Sequence, residues 1–124
     1  MSSPTTVLIV EDDPVILRLL EVNFELEGFT VLLAHDGAEG IEVARTGRPD
    51  VIVSDVMMPR ASGLELLAAL KGDEATRAIP IILLSAKAQT GDLKAGTDAG
   101  ADDYVTKPFE PLDLVERVNA LLPR

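Results

Sequence analysis

Short apolar runs alternate along the chain with longer stretches in which apolar and polar positions recur at helical spacing. That alternation is the βαβα pattern of a parallel sheet covered by helices on both faces. Strands are predicted near Thr6 to Val10, Thr30 to Ala34, Val51 to Ser54, Ile79 to Leu84 and Asp103 to Thr106, each followed by a helix. The first helix shows Val15, Leu19, Val22 and Leu26 at helical spacing, broadened by Ile16, Leu20 and Phe24. Asp13 and Pro14 supply its cap and first turn, and Gly28 stops it.

The second helix runs from its cap at Asp36 to Thr46, with Gly47 as terminator, and the third from about Gly63 to Gly72, burying Leu64, Leu67 and Ala68. A fourth, Thr90 to Ala99, contains Gly91 and Gly96; each glycine costs about 1 kcal/mol relative to alanine, so this helix is expected to be the weakest. The last begins after Pro111 and presents Leu114, Val118 and Leu121, with Val115 and Leu122, before Pro123.

The chain has 124 residues, the size of one domain, and residues 1–124 are read as such. The absence of cysteine excludes a disulfide framework and a thiolate metal site and suits a cytoplasmic protein. Every apolar run falls far short of the ~20 residues that a membrane span needs, and Met1-Ser2-Ser3-Pro4 has no basic region. A formal charge of −10 opposes direct nucleic-acid binding, which rests on Lys and Arg releasing counterions. A solvated acidic surface accounts for most of that charge, but not for three consecutive acids, Glu11, Asp12 and Asp13.

In doubly wound sheets, ligands bind beyond the carboxyl ends of the strands where strand order reverses. With the common order 2-1-3-4-5, strands one and three lie side by side there. Glu11 and Asp12 stand beyond strand one, and Asp55 beyond strand three. Three carboxylates in one small site repel unless a cation neutralises them, and a hard divalent ion such as Mg²⁺ is the simplest solution. Asp13 is assigned to the helix cap. Ser85 beyond strand four and Lys107 beyond strand five add a hydroxyl and an ammonium, completing a cradle for a phosphoryl group that Asp55 would attack. Each of these residues has an ordinary explanation alone: a loop cap for Asp55, a turn former for Ser85, a surface charge for Lys107. Their agreement across four strand ends favours the chemical reading.

Ile9-Val10-Glu11-Asp12-Asp13-Pro14, Asp55-Val56-Met57-Met58-Pro59 with Gly63, Ser85-Ala86, and Gly100-Ala101-Asp102-Asp103-Tyr104-Val105-Thr106-Lys107-Pro108-Phe109 together resemble the receiver domain of two-component response regulators. The resemblance covers the whole chain and implies a flavodoxin-like, doubly wound (βα)5 fold. It implies that Asp12 binds Mg²⁺ directly, Glu11 through water, Asp55 by a side-chain oxygen and Met57 by its backbone carbonyl, with Mn²⁺ able to replace Mg²⁺. Lys107 would pair with Asp55, and the Lys107-Pro108 bond would be cis.

The same resemblance implies a phosphohistidine donor on a sensor histidine kinase or phosphotransfer protein, or a small acyl phosphate. On phosphorylation Ser85 would be drawn inward and Tyr104 would turn from solvent toward the core, changing the face formed by the last two predicted helices and strand five. Met57 and Lys87 would shade the acyl phosphate from water. The reader of that face is a downstream protein target or a fused output domain, and the chain is expected to be a monomer or a phosphorylation-dependent homodimer.

Leu93, Lys94 and Thr97 depart from the basic and apolar pattern that dimerising receivers carry on the fourth helix, although Asp102, Asp103, Asp113 and Arg117 suit such a face. Two rival readings stay open: an aspartyl-phosphate phosphohydrolase, which usually needs a second acid where Met57 stands, and a receiver-like adaptor that is never phosphorylated. A dinucleotide-binding module is disfavoured because acids replace a glycine-rich turn after strand one.

Overall fold

Successive side chains of a strand leave on opposite faces, so Val7 and Ile9 enter one apolar layer while Leu8 and Val10 enter the other. The structure, a computed structural model, describes residues 5–58, 62–86 and 100–122. Within it lie β1 (Thr6–Val10), α1 (Pro14–Leu26), β2 (Thr30–Ala34), α2 (Gly37–Gly47), β3 (Val51–Asp55), α3 (Gly63–Lys71), β4 (Ile81–Ala86), β5 (Asp103–Lys107) and a C-terminal helix (Pro111–Leu121). The strands form one sheet in the order β2-β1-β3-β4-β5, every neighbouring pair parallel. The predicted fourth helix, with Leu93, Lys94 and Thr97, lies outside the described residues, as does Lys87.

One face of the sheet is covered by α1 and the C-terminal helix through Leu17, Leu20, Phe24, Leu114, Val115 and Val118. The other is covered by α2 and α3 through Ala44, Leu66, Leu67 and Leu70. Central β3 is buried along its whole length, as a strand sandwiched between two helical layers must be.

The helix starts follow their sequence signals. Asp13 accepts from the backbone of Val15 with Pro14 in the first turn, and Asp36 accepts from Glu39. Gly28 takes the left-handed conformation (φ 91°) that ends α1.

The buried faces differ from expectation at two helices. On α1, Val15 and Leu26 are 75% and 77% exposed and Leu19 is 46% exposed, whereas Leu17, Leu20 and Phe24 form the core stripe. The helix is apolar around much of its circumference, so spacing alone permits more than one face. The edge-to-face contact of Phe24 with Phe29, centroids 5.1 Å apart, belongs to the buried one. On α3, Ala68 is exposed and Leu64 only half-buried, because Leu66, Leu67 and Leu70 face the sheet.

Strand four begins at Ile81 rather than Ile79. The Ile79 N–H closes a turn onto Thr76 at 3.0 Å, and Pro80 has no N–H for the ladder, although its carbonyl accepts from Ile52 at 2.9 Å. The strand then runs on through Ser85 to Ala86. Helix α2 includes Gly47; Arg48 takes the left-handed cap (φ 45°), and a Cβ at Gly47 would sit 2.7 Å from Leu32. Gly47 therefore serves close packing, not the turn.

Candidate functional site

β1 and β3 lie side by side at the centre of the sheet, so the residues at their carboxyl ends meet. Oxygens of Glu11, Asp12 and Asp55 all fall within 4.8 Å of one another. Asp55 is the last residue of β3, not the first of the loop, and strand geometry therefore fixes its backbone. Lys107, likewise the last residue of β5, reaches back over β4 to this cluster. Its Nζ lies 3.2 Å from Asp55 Oδ1 and 3.1 Å from Glu11 Oε1. The Lys107-Pro108 bond is cis.

The expected Lys107–Asp55 pair is thus a three-way arrangement in which one ammonium serves two carboxylates. Glu11 is 1% exposed and Asp55 6%, while Asp12 is open to solvent. Glu11 Oε2 also accepts from the backbone of Asp13 at 3.1 Å. Asp13 itself caps α1, with Oδ1 2.9 Å from Val15 N, and takes no part in the cluster.

Burial pushes the Asp55 carboxyl above its ordinary range, and Lys107 only partly offsets it. Glu11 is raised for the same first reason, with the Asp55 charge adding to it against the Asp13 N–H and Lys107. Burial also works against the Lys107 ammonium, but Asp55 and Glu11 overcome it and hold Lys107 more firmly charged. Three carboxylates around one ammonium carry more negative charge than the lysine can neutralise, which is the condition under which a divalent cation is drawn in. An all-oxygen donor set fits a hard cation such as Mg²⁺.

Ser85 stands inside β4 rather than beyond it, in register with Thr106, and is buried. Tyr104 is in register with Leu83 and packs on the α2/α3 side of the core. Its hydroxyl oxygen is buried. The expected outward ring is therefore not what this structure has, because the apolar layer around Leu83 accepts the ring. Met57 follows β3 and is 59% exposed. Beside Lys107, Ile16, Leu19, Pro108 and Phe109 line an apolar cavity of about 360 Å³.

On the β5 side, Arg117 pairs with Asp103 at 3.1 Å and Asp113 at 3.2 Å within the chain. Asp102 is turned inward, accepting from Ile81 N at 2.9 Å and from Lys71 at 3.3 Å. Of the four residues expected on one face, Asp102 is thus committed to the sheet edge. Two further residues shape the backbone at Asp55. The Ser54 hydroxyl, fully buried, donates to the Asp55 carbonyl at 3.0 Å. A Cβ on Gly63 would lie 2.3 Å from that same carbonyl oxygen. A lone hydroxyl in the run Val51-Ile52-Val53-Ser54 is the sequence signal for the first.

A family model for the response regulator receiver domain matches residues 7–119. Over 124 residues the chain is 45% identical to the transcriptional regulatory protein CseB of Streptomyces coelicolor, covering 100% of this chain and 52% of that protein. The chain spans about half the length of the curated relatives it matches. Among solved structures, the chemotaxis response regulator CheY4 of Vibrio cholerae superposes with a TM-score of 0.90 at 30% identity, covering 97% of this chain and 100% of that one. The receiver domain of the sensor histidine kinase PA1611 from Pseudomonas aeruginosa, solved with a magnesium ion in its active-site cleft, gives a TM-score of 0.88 at 31% identity and covers 96% and 98%. Among the described residues no helix is long and apolar enough to cross a membrane.

Proposed function

For a chain that belongs to the response regulator receiver domain family, we propose the role of phosphoacceptor switch in a two-component system, with Asp55 as the residue that takes the phosphoryl group. The observation that carries this reading is the Lys107 ammonium held 3.2 Å from Asp55 Oδ1 at the edge of a three-carboxylate cluster.

The Asp55 carboxylate attacks the phosphorus of a phosphohistidine or a small acyl phosphate. The new O–P bond forms as the donor's bond to phosphorus breaks, and the leaving group keeps the bonding electrons. Lys107 is placed to hold a phosphoryl oxygen as charge develops on it, and Ser85 to hold another once drawn inward. Asp12, Asp55, the Met57 carbonyl and, through water, Glu11 would hold Mg²⁺, or Mn²⁺ in its place, which supplies neutralisation of the transferring oxygens. Met57 and Lys87 modulate the lifetime of the aspartyl phosphate. The chain catalyses only its own phosphorylation and dephosphorylation, and residues 1–124 act as one receiver domain.

Phosphorylation adds about −1.5 to −2 charges and three acceptor oxygens beside Lys107. Ser85 and Tyr104 relay that change to the face formed by β5 and the C-terminal helix. Because Tyr104 already packs on the core, the relay holds that arrangement in place. A coupling of about 1–3 kcal/mol changes partner affinity roughly 5–150-fold. The donor partner is a sensor histidine kinase or phosphotransfer protein in the cytoplasm, and the reader is a downstream protein or an output domain such as the remaining half of its transcriptional relatives. This segment does not itself bind nucleic acid, and it is a monomer or a dimer formed on phosphorylation.

The test is to incubate the protein with Mg²⁺ and acetyl phosphate and measure intact mass. The parent gains one phosphoryl group, and Asp55→Asn or parent in excess EDTA gains none. A variant modified as readily as the parent contradicts the assignment.

A further inference from the structure

Val51, Ile52 and Val53 are apolar and fully buried, and Ser54 continues the strand with no exposure at all. A hydroxyl buried in an apolar layer is costly unless it is bonded. Ser54 Oγ donates to the carbonyl of its neighbour, Asp55, at 3.0 Å.

That carbonyl belongs to the peptide plane joining Asp55 to Val56, and the N–H of the same plane touches the acceptor carboxylate. Val56 N lies 3.0 Å from Asp55 Oδ1 and 2.9 Å from the carbonyl of Leu84. Asp55 Oδ1 is also the oxygen that Lys107 holds at 3.2 Å. Gly63 walls off the carbonyl end of the plane, since even a methyl there would lie 2.3 Å from Asp55 O, and its own N–H bonds Val56 O at 2.9 Å. The plane is thus held by a hydroxyl at one end, a glycine wall beside it and the β4 ladder at the other.

We infer that Ser54 is a positioning residue for phosphorylation: its hydroxyl fixes the tilt of the Asp55–Val56 peptide, and that tilt aims the N–H that binds Asp55 Oδ1 and so orients the carboxylate. Ser54 touches neither donor nor metal; it acts through one rigid peptide group. A small rotation of a planar peptide moves its N–H as far as its carbonyl, and misplacing a nucleophile by a fraction of an ångström is enough to slow attack. The inference rests on Asp55 being the acceptor.

The experiment uses the full chain and its Ser54→Ala, Ser54→Cys and Ser54→Thr variants, with Mg²⁺ and acetyl phosphate. Three readouts are followed: the rate of phosphoryl gain, the Val56 amide proton resonance and the urea midpoint. Loss of one neutral hydrogen bond predicts a rate about three- to tenfold lower in Ser54→Ala and Ser54→Cys, with Ser54→Thr within about twofold of the parent. The Val56 resonance should move upfield in the first two and stay in place in the third. If threonine's added methyl prevents folding, the rate and the Val56 resonance of Ser54→Ala decide.

A purely structural serine shifts the urea midpoint and leaves both other readouts alone, and that result overturns the inference. So does a folded Ser54→Thr as slow as Ser54→Ala. If the parent takes up phosphate and Ser54→Ala matches it, this inference alone fails; if the parent takes up none, the assignment of Asp55 fails and this inference with it.

Discussion

Replacing Asp55 by asparagine should stabilise the metal-free protein while abolishing its response to Mg²⁺. Asp55 shares its site with Glu11 and Asp12, all three within 4.8 Å, and with one lysine at 3.2 Å. At an effective dielectric near 20, each acid pair at that separation repels by about 3.5 kcal/mol, and Lys107 attracts Asp55 by about 5 kcal/mol. Two repulsions against one attraction leave about 2 kcal/mol opposing the Asp55 charge, before the cost of burying it. Solvent reaching the exposed Asp12 weakens its share, so a net gain of about 1–2 kcal/mol is expected for Asp55→Asn in EDTA. That corresponds to a Tm rise of about 3–8 °C for a domain of this size. Saturating Mg²⁺ should reverse the order, adding about 2.7 kcal/mol to the parent at a hundredfold excess over Kd and far less to the variant. Thermal unfolding of both proteins in EDTA and in Mg²⁺ is the assay. An asparagine variant that melts below the parent in EDTA would mean that the Asp55 charge does not strain the fold, and an equal Mg²⁺ effect on both would mean that Asp55 does not hold the ion.

Three other outcomes follow from the same structure. With Asp55 and Glu11 raised by burial, the native state holds protons that the unfolded chain has already lost, so metal-free stability is fully present below the unfolded-state pKa and falls as pH rises through the raised one. The advantage of Asp55→Asn in urea titrations with EDTA should therefore widen with pH over that interval, and a constant difference would contradict it. Gly63→Ala would place a methyl 2.3 Å from a backbone carbonyl, and should cost about 1–3 kcal/mol and slow phosphoryl uptake, measured by urea midpoint and mass. Leu20→Ala should cost about 2–5 kcal/mol, whereas Leu26→Ala, on the exposed face of α1, should stay within about 0.5 kcal/mol; equal losses would mean that the two faces are wrongly assigned.

Leu20 and Leu26 look alike in the linear pattern and differ in burial, 0% against 77% exposed. β1 and β2 have the limits that their apolar runs announce, and Asp13 and Asp36 cap helices because short acceptors at those positions satisfy the first free N–H groups. On α1, apolar residues occur on several sides, and only packing against the sheet selects Leu17, Leu20 and Phe24. The convergence of Glu11, Asp12, Asp55 and Lys107 was legible because strand order in a doubly wound sheet dictates which carboxyl ends meet. The sharing of Lys107 between Asp55 and Glu11 was not, since it depends on how far a flexible side chain reaches across β4. Nor was the placement of Ser85 inside β4, which follows from β5 pairing with that strand as far as Ala86. Tyr104 packs on the layer that contains Leu83 with its hydroxyl oxygen buried, a tertiary contact that no linear pattern carries.

The proposed function assigns the phosphoryl group to the carboxylate of residue 55. Borohydride reduces an aspartyl phosphate to homoserine and leaves free carboxylates untouched, so treating the protein with borohydride after exposure to acetyl phosphate and Mg²⁺, then digesting and sequencing by mass spectrometry, maps the acceptor directly. Homoserine at position 55, absent without the phosphodonor, is the predicted result. Homoserine at position 12 or at another aspartate, or hydroxynorvaline at a glutamate such as Glu11, with residue 55 intact, would overturn that assignment.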